Sequence, residues 1–256
     1  MTAQSGSGSL EQCRRVFASL VRDHQLDAAA VSVLARPLTP EEAIGTPGRR
    51  DFPILVGKER VIEAVVLGAR GQAFTDSPRE FSGQVHEVLS LPLTSNQNRA
   101  LFVATLNALA RQLGLVQQTV HCRDDAPELC GPQIATQLRQ ATHPRSVGLV
   151  GLNPAIAEAL VKEFSAAAVH ITDLNPASIG TTRFGVEVWD GRSRWPELVE
   201  VSDTLLVTGT TLVNGTFDAL REAADTAHKQ FLVFGVTAAA ACHVLALPRL
   251  CPCAQA

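Results

Sequence analysis

The sequence predicts an α/β protein in two parts, an α+β unit over residues 10–125 followed by a Rossmann-like, parallel-sheet domain over residues 126–256. In the second part, continuous apolar runs alternate with helical stretches or turns. Strands without polar alternation are buried on both faces, as in parallel sheets covered by helices. In the first part, strands precede helices, an order typical of a small α+β unit.

Composition narrows the function classes. Hydrophobic residues make up 46% of the 256, enough for real cores, and 22 basic against 25 acidic residues give a net charge of -3 without blocks of one sign. This disfavours nucleic-acid and membrane-surface partners and favours a small molecule, a metal or another protein, with a homodimer left open. No secretory signal is visible and the longest apolar run, Val236 to Leu247, is too short to cross a bilayer, so we expect a cytoplasmic protein with six free cysteines.

In the first part, apolar residues at helical spacing from Leu10 predict a helix that ends near His24. Strands are predicted over residues 28–38 and 61–69, with a short one at residues 52–56. Two helices follow. Their apolar faces are Phe81, Val85, Val88 and Leu89 for the first, and Phe102, Leu106, Leu109 and Leu113 for the second.

In the second part, four apolar runs predict parallel strands joined by right-handed crossovers, namely residues 146–152, 168–174, 204–209 and 231–235. Ligands of open α/β sheets bind outside the carboxyl edge, so the four turns there are candidate sites. The first, Gly151 to Pro154, carries an asparagine cap and a first-turn proline, which helix initiation alone explains. The fourth, from Gly235, is expected only to pack.

Two turns carry candidate binding residues. Asp173 ends the second strand where a ribose-binding acid would stand, although an aspartate before Asn175-Pro176 is equally ordinary turn chemistry. The third turn, TGTTLVNGT (residues 208–216), has more hydroxyls than capping needs, yet capping and turn formation alone stay an alternative. Asp218 beside it and the missing dinucleotide and phosphate-loop fingerprints argue against a bare phosphate, leaving a polar ligand or a cation.

Cysteine clusters are the candidate soft-metal ligands. His121-Cys122 lies near Glu128 and Cys130, and the tail carries Cys251-Pro252-Cys253. Incidental buried thiols are the alternative, because these spacings are not those of zinc fingers. The segment Gly71 to Asp76 is read as a polar loop that leaves a strand and faces the cleft between the two parts. No Ser-His-Asp order and no general base with a visible partner is present.

Several of these segments together resemble a known family. They are GQAFTD (71–76), Val120 to Asp124, LVGLNPA, the Asp173 to Pro176 corner with Ile179-Gly180, TGTTLVNGT and RLCP (249–252). The chain is similar over nearly its whole length to a family named for heavy-metal chelation, with no established reaction. The resemblance implies an enolase N-terminal-like domain followed by a Rossmann-like domain, and a role in metal handling or metal-cofactor biosynthesis.

The sequence therefore predicts binding of a metal ion, a metal chelate or a small polar ligand in the cleft between the two parts, without deciding whether a reaction is catalysed. The metal would be divalent or soft. The alternative is an enzyme that holds a nucleotide-like cofactor such as S-adenosylmethionine at Gly151 and Asp173. A module without small-molecule chemistry is a third. The predicted binding residues are Gly151, Asp173, Asn175, Thr208, Gly209, Thr210, Thr211 and Asn214, with Thr75 and Asp76 opposite and Cys122, Cys130 and Cys251 as thiol ligands.

Overall fold

A computed structural model describes residues 8–27 and 32–255. The first part of the chain forms a four-stranded antiparallel sheet in the order β3-β2-β1-β4. Its elements are α1 (Ser9–Asp23), β1 (Ser32–Leu38), α2 (Pro40–Ile44), α3 (Pro53–Val56), β2 (Arg60–Val66), β3 (Ala69–Thr75), β4 (Phe81–Gln84), α4 (Val85–Leu89) and α5 (Asn96–Gln112).

The second part forms a seven-stranded sheet in the order β11-β10-β9-β5-β6-β8-β7. Short 3-10 turns occur at Ala166–Ala168 and Val236–Ala238. The remaining elements are α6 (Ala126–Thr142), β5 (Val147–Val150), α7 (Pro154–Phe164), β6 (Val169–Asp173), β7 (Thr182–Arg183), β8 (Val186–Asp190), α8 (Trp195–Val201), β9 (Thr204–Thr208), α9 (Thr210–Asn214), α10 (Phe217–Thr226), β10 (Gln230–Phe234), α11 (Ala239–Leu245) and β11 (Arg249–Leu250).

All neighbouring strands of the large sheet are parallel except β7 and β8. The four parallel strands predicted from the apolar runs are confirmed as β5, β6, β9 and β10. The six parallel strands are β5, β6, β8, β9, β10 and β11. If they are numbered 1 to 6 in chain order, their order across the sheet, read from β8 to β11, is 3-2-1-4-5-6. The direction of winding reverses between β5 and β9, and in open α/β sheets with this order the crevice at that reversal is where ligands bind.

Three local predictions in the first part are wrong. Residues 53–56 are the helix α3, because Pro53 pre-sets the first helical position. Phe81 begins strand β4, so only the residues from Val85 onward are helical. The apolar run at residues 61–69 breaks at the turn Leu67-Gly68, where both residues have positive φ, so residues 71–75 lie inside β3. Of the strand predicted at residues 28–38, residues 32–38 are confirmed and residues 28–31 lie outside the described part.

The two parts of the chain share one apolar core. Helix α5 covers β2 and β3 of the small sheet, and also contacts α9 and α11 of the second part, while α1 packs on α11. The largest group of buried residues accordingly includes Phe17, Leu106, Leu212 and Leu245. No helix in the described part of the chain has both the length and the apolar character to cross a membrane. The predicted boundary at residue 125 stays a prediction.

Candidate functional site

A small cavity lies where the first part of the chain meets the carboxyl edge of the large sheet. Its volume is about 40 Å³, room for a few waters or an ion with small ligands. Asn153, in the turn after β5, is the lining residue that comes from the carboxyl edge of the large sheet. The lining residues are Ile44, Phe52, Pro53, Ile54, Glu59, Phe74, His121, Pro127 and Asn153.

Glu59 is the acidic residue of this cavity, on the loop between α3 and β2. Burial, and next the negative charge of Asp173, raise the pKa of its carboxyl to about 7. Its carboxyl accepts no hydrogen bond and forms no ion pair with any residue in the described part of the chain. Near neutral pH the cavity therefore contains a carboxyl group that can either bind or release a proton.

His121 is the second ionisable group in the cavity. Its Nδ1 is hydrogen-bonded to the backbone oxygen of Cys122, and because a carbonyl can only accept, Nδ1 must carry the proton. Burial lowers the pKa of the imidazole to about 4, against the weaker opposing effect of that hydrogen bond. At neutral pH the ring is therefore uncharged, and Nε2 has a free lone pair. A histidine that donates its other N–H to a backbone carbonyl is the form that ligates metals in proteins.

A polar network that extends from the surface at Arg70 to the buried Gln72 fixes the backbone of His121. Arg70 forms an ion pair with Glu63 at 2.7 Å, and Gln72 donates from Nε2 to the same carboxylate at 2.8 Å. The Gln72 Oε1 in turn accepts the backbone N–H of His121 at 2.9 Å. The ring of Phe74 meets the imidazole edge-on, with 5.1 Å between centroids. Strands β2 and β3 thus position the histidine.

Asn153 caps α7, as the sequence predicts. Its Oδ1 accepts from the backbone N–H groups of Ala155 at 3.1 Å and Ile156 at 3.2 Å. The side-chain oxygen is committed to the helix even though the residue lines the cavity. Its contribution to the site is to place the start of α7 beside Glu59 and His121.

Asp173 and Gly151 form the corner where β5 and β6 end. The two carboxylate oxygens of Asp173 accept from the backbone N–H groups of Leu152 and Asn175, each at 2.6 Å. Burial raises the pKa of this carboxyl, and these hydrogen bonds oppose the shift. Gly151 has φ +88°, and a Cβ there would lie 2.6 Å from Cγ2 of Thr208. Asp173 therefore acts on the cavity mainly through its charge.

The segment TGTTLVNGT is more helical than the sequence suggests, because α9 occupies residues 210–214. Its polar groups bond largely to one another. Thr210 donates its hydroxyl to the Thr208 hydroxyl at 3.0 Å, and Thr211 donates to the Thr208 carbonyl at 2.7 Å. The hydroxyl and backbone N–H of Thr216 both donate to Oδ1 of Asn214. The hydroxyls that exceed the needs of capping therefore form hydrogen bonds within the segment. Gly209 packs close to the backbone of Ala238.

Asp218 joins α10 to the start of α1. It lies in the first turn of α10, but its carboxylate accepts the backbone N–H of Ser9 at 3.1 Å as well as the Ser9 hydroxyl. The carboxylate therefore stabilises the start of α1.

The end of β3 packs on the third and fourth turns of the large sheet. The backbone N–H of Phe74 donates to the Thr237 hydroxyl at 3.0 Å. Thr75 is buried, and its hydroxyl accepts from the Ser77 backbone at 3.1 Å. Asp76 is exposed and accepts from Asn96 at 3.0 Å. The fourth turn packs against this strand, as predicted.

Cys122, Cys130 and Cys251 are brought together by the fold, and Cys253 joins them. The first three are buried and Cys253 is partly exposed, and all four are free thiols. Within residues 8–27 and 32–255, however, no three histidine, cysteine, aspartate or glutamate side chains are grouped so that they could hold a metal ion as they stand. The thiols and the cavity of Glu59 and His121 are distinct candidate sites.

Sequence reasoning missed Glu59 altogether, and it placed His121 in a candidate cluster with Cys122, Glu128 and Cys130 without selecting it as a ligand. No signal in the sequence marks Glu59, because it lies in a short loop without a motif. For His121 a signal exists, because the residue lies in the segment Val120 to Asp124, which carries the family resemblance.

Comparisons with known proteins support the resemblance. The sequence profile of the DUF364 family, described as "Putative heavy-metal chelation", matches residues 135–247. The predicted resemblance is confirmed over this segment, and the family name supports a metal-related role. No curated protein matches the chain.

Two crystal structures of proteins from the same family match the chain. One is a protein with unknown function from the DUF364 family of Pyrococcus horikoshii, with a TM-score of 0.51 and 14% identity over 90% of this chain and 79% of that one. The other is a protein with unknown function from the same family in Desulfitobacterium hafniense, with a TM-score of 0.48 and 16% identity over 73% and 72% of the two chains. The first likeness supports the mixed α/β architecture.

Proposed function

We propose that the cavity between the two parts of the chain binds a metal ion that keeps ligands of its own, either water or an organic chelator. Glu59 and His121 are the protein donors. The observation that carries the proposal is that an unpaired carboxyl and a neutral imidazole with a free Nε2 line one cavity. Carboxylate oxygen and imidazole nitrogen are both common ligands of divalent metals.

The number of donors favours a metal that arrives partly coordinated. Tetrahedral and octahedral ions need four to six ligands, and this cavity offers two ionisable donors in its present form. The other ligands must come from outside the protein. Glu59, His121 and Asn153 are all partly exposed, so the cavity reaches the surface and the organic part of a chelate has a place at its mouth.

The size of the cavity separates this proposal from a nucleotide-like cofactor. Pockets for drug-sized ligands enclose about 300–1,000 Å³, whereas this one encloses about 40 Å³. Both carboxylate oxygens of Asp173 are already engaged by backbone N–H groups at the corner between β5 and β6. We therefore favour a metal ion over S-adenosylmethionine as the ligand, and we retain the proposal that the second part of the chain is a Rossmann-like domain.

Six free thiols in the described residues are in keeping with a cytoplasmic location.

Titration of the full-length protein with Co²⁺, alone and with citrate, tests the proposal through visible absorption and calorimetry. Glu59→Gln removes the ionisable donor at nearly constant shape. His121→Asn keeps a hydrogen-bond donor near the Nδ1 position and removes Nε2. Each change is expected to weaken binding by at least about tenfold, as losses of even indirect metal contacts do.

Matched controls use exposed residues of the same types, Glu80→Gln and His86→Asn. Both are expected to bind Co²⁺ as the wild type does. If the Glu59 and His121 variants bind as tightly as these controls, the cavity is not the metal site.

A further inference from the structure

One wall of the cavity is a single segment between α2 and β2, residues 45–57, defined here as the flap. It contains α3, and it contributes residues 52–54 to the lining of the cavity. Pro127 and Asn153, from the second part of the chain, belong to the same lining. A movement of the flap relative to the second part would therefore change the size of the cavity.

The flap belongs to neither of the two large apolar cores. Its buried side chains Phe52 and Ile54 lie in a small separate cluster with Leu38, Ala43, Ile44, Val61 and Ala155. Within residues 8–27 and 32–255, no strand of either sheet includes a residue of the flap. A segment with few buried apolar contacts can open locally at a lower free-energy cost than the unfolding of the whole protein.

Two carboxylates outside the flap hold its first half. Asp124 accepts the backbone N–H of Thr46 at 2.9 Å, and Glu128 accepts that of Arg49 at 2.8 Å. Both hydrogen bonds are exposed to solvent. The flap begins at Gly45, whose φ of +67° is a conformation that residues with side chains rarely adopt. Exposed polar contacts of this kind break and re-form more readily than buried packing.

Arg49 links the flap to two elements of the second part of the chain. Its guanidinium forms ion pairs with Glu158 on α7 and with Asp51 inside the flap. It also lies over the ring of Phe184, 5.7 Å from the centroid. Phe184 stands in the turn between β7 and β8, where it and Gly185 both have positive φ. One side chain thus joins the flap to a helix and to a hairpin.

We propose that the flap opens to admit ligands larger than the closed cavity, and that Arg49 is the contact that holds it closed. The closed cavity encloses about 40 Å³, against about 300–1,000 Å³ for pockets that hold drug-sized ligands. Opening separates Arg49 from Glu158 and Phe184 and moves residues 52–54 away from the lining. The proposal concerns access to the cavity, so it does not rest on the metal proposed above.

Diethyl pyrocarbonate tests this access, because it acylates uncharged imidazoles and His121 has a free Nε2. Peptide mass spectrometry of the full-length protein gives the rate at each histidine, with the exposed His86 as internal reference. In the wild type, His121 should react much more slowly than His86. Arg49→Gln should speed the reaction of His121 by about five- to thirtyfold, because it removes an ion pair and a cation–π contact that favour the closed state.

The chain provides a matched control in Arg139. Its guanidinium pairs with Glu163, on the same helix α7, and lies 4.4 Å from the ring centroid of Phe164. Arg139→Gln removes the same kinds of contact at residues that do not line the cavity. His121 should react in this variant as it does in the wild type. An acceleration equal to that of Arg49→Gln would reflect a general loosening of the fold and would contradict the proposal.

Glu158→Gln removes the charged partner of Arg49 at nearly constant shape, and it should speed the reaction of His121 by a smaller factor. Hydrogen exchange gives a second readout, since the amides of residues 45–57 should exchange faster in Arg49→Gln while those of α7 exchange as in the wild type. Equal reactivity of His121 and His86 in the wild type, or an unchanged rate at His121 in both variants, would overturn the proposal.

Discussion

Glu59 and His121 line one cavity, and burial shifts their pKa values in opposite directions, to about 7 for the carboxyl and about 4 for the imidazole. Both shifts have the same main cause, since a poorly solvated site disfavours either charge. At neutral pH the cavity therefore combines a carboxyl close to its pKa with an uncharged imidazole. The carboxyl can exchange its proton for a metal ion, and the imidazole offers Nε2 without having to lose a proton.

The raised pKa of Glu59 predicts a pH-dependent effect on stability. In the folded protein the pKa of the Glu59 carboxyl is about 7, above the value of 4.5 for an exposed glutamate. Between these two pH values the folded protein therefore binds more protons than the unfolded chain. Ionisation of Glu59 then costs stability as pH rises from about 4.5 through 7. Relative to the wild type, Glu59→Gln should gain about 1–2 kcal/mol between pH 4.5 and pH 8, after allowance for partial solvation.

Urea unfolding at both pH values measures this gain, with Glu80→Gln as the exposed control. A stability difference between Glu59→Gln and wild type that is the same at pH 4.5 and pH 8 would mean that Glu59 has an ordinary pKa.

The charge of Asp173 predicts a coupled titration. Asp173 raises the pKa of Glu59, so Asp173→Asn should lower it. The asparagine oxygen can still accept one of the two backbone hydrogen bonds that close the corner. Carbon-13 NMR titration of the Glu59 carboxyl measures the effect. The control is Asp203→Asn, at the opposite edge of the sheet, which should leave the Glu59 titration unchanged. If Asp173→Asn also left it unchanged, the two carboxyl groups would not be coupled.

Asn107 predicts how strongly the two parts of the chain depend on each other. Its Nδ2 donates to the carbonyls of Gln72, Val236 and Thr237, and its Oδ1 accepts from Ala240 at 2.8 Å. Asn107→Ala leaves several buried groups unpaired and should cost about 3 kcal/mol or more.

The exposed Gln97→Ala on the same helix should change stability by less than about 0.5 kcal/mol. Thermal or denaturant unfolding distinguishes the two variants. Equal stability for both would show that the contact between the parts does not rely on Asn107.

Gly71 predicts a steric limit between β3 and α5. A Cβ at this position would lie 2.1 Å from the Ala108 backbone nitrogen and 2.4 Å from the Ala104 oxygen. Gly71→Ala must therefore push the helix off the strand, at about 1–3 kcal/mol or more. Gly48→Ala, whose nearest neighbour is the end of a glutamate side chain at 3.6 Å, should be tolerated. Similar unfolding midpoints for the two variants would argue against this close approach.

Much of the large sheet was predictable from the sequence, because its strands are buried on both faces and read as unbroken apolar runs. The Asn153 cap was predictable for a similar reason, since its partners are two and three residues away. The helix at residues 53–56 and the β2–β3 turn were not, because short apolar runs fit either structure.

The cavity could not be predicted, since it forms only when Glu59, His121 and the turn after β5 meet across long sequence separations. For TGTTLVNGT the sequence predicts a binding site that local hydrogen bonds largely explain. Its hydroxyls exceed the needs of capping, but the sequence could not show that Thr208 and Asn214 accept most of their hydrogen bonds. The sequence shows Cys122 with Cys130 and Cys251 with Cys253 as two separate pairs, and the fold brings the two pairs close together.

The pH dependence of Co²⁺ affinity tests the central claim most directly. If Glu59 gives up a proton to bind the metal, the affinity of the wild type should rise about tenfold per pH unit below the carboxyl pKa of about 7 and level off above it. Glu59→Gln should bind weakly and lose this dependence between pH 6 and 8. Wild-type affinity that is flat across this range, or a profile unchanged by Glu59→Gln, would contradict the account.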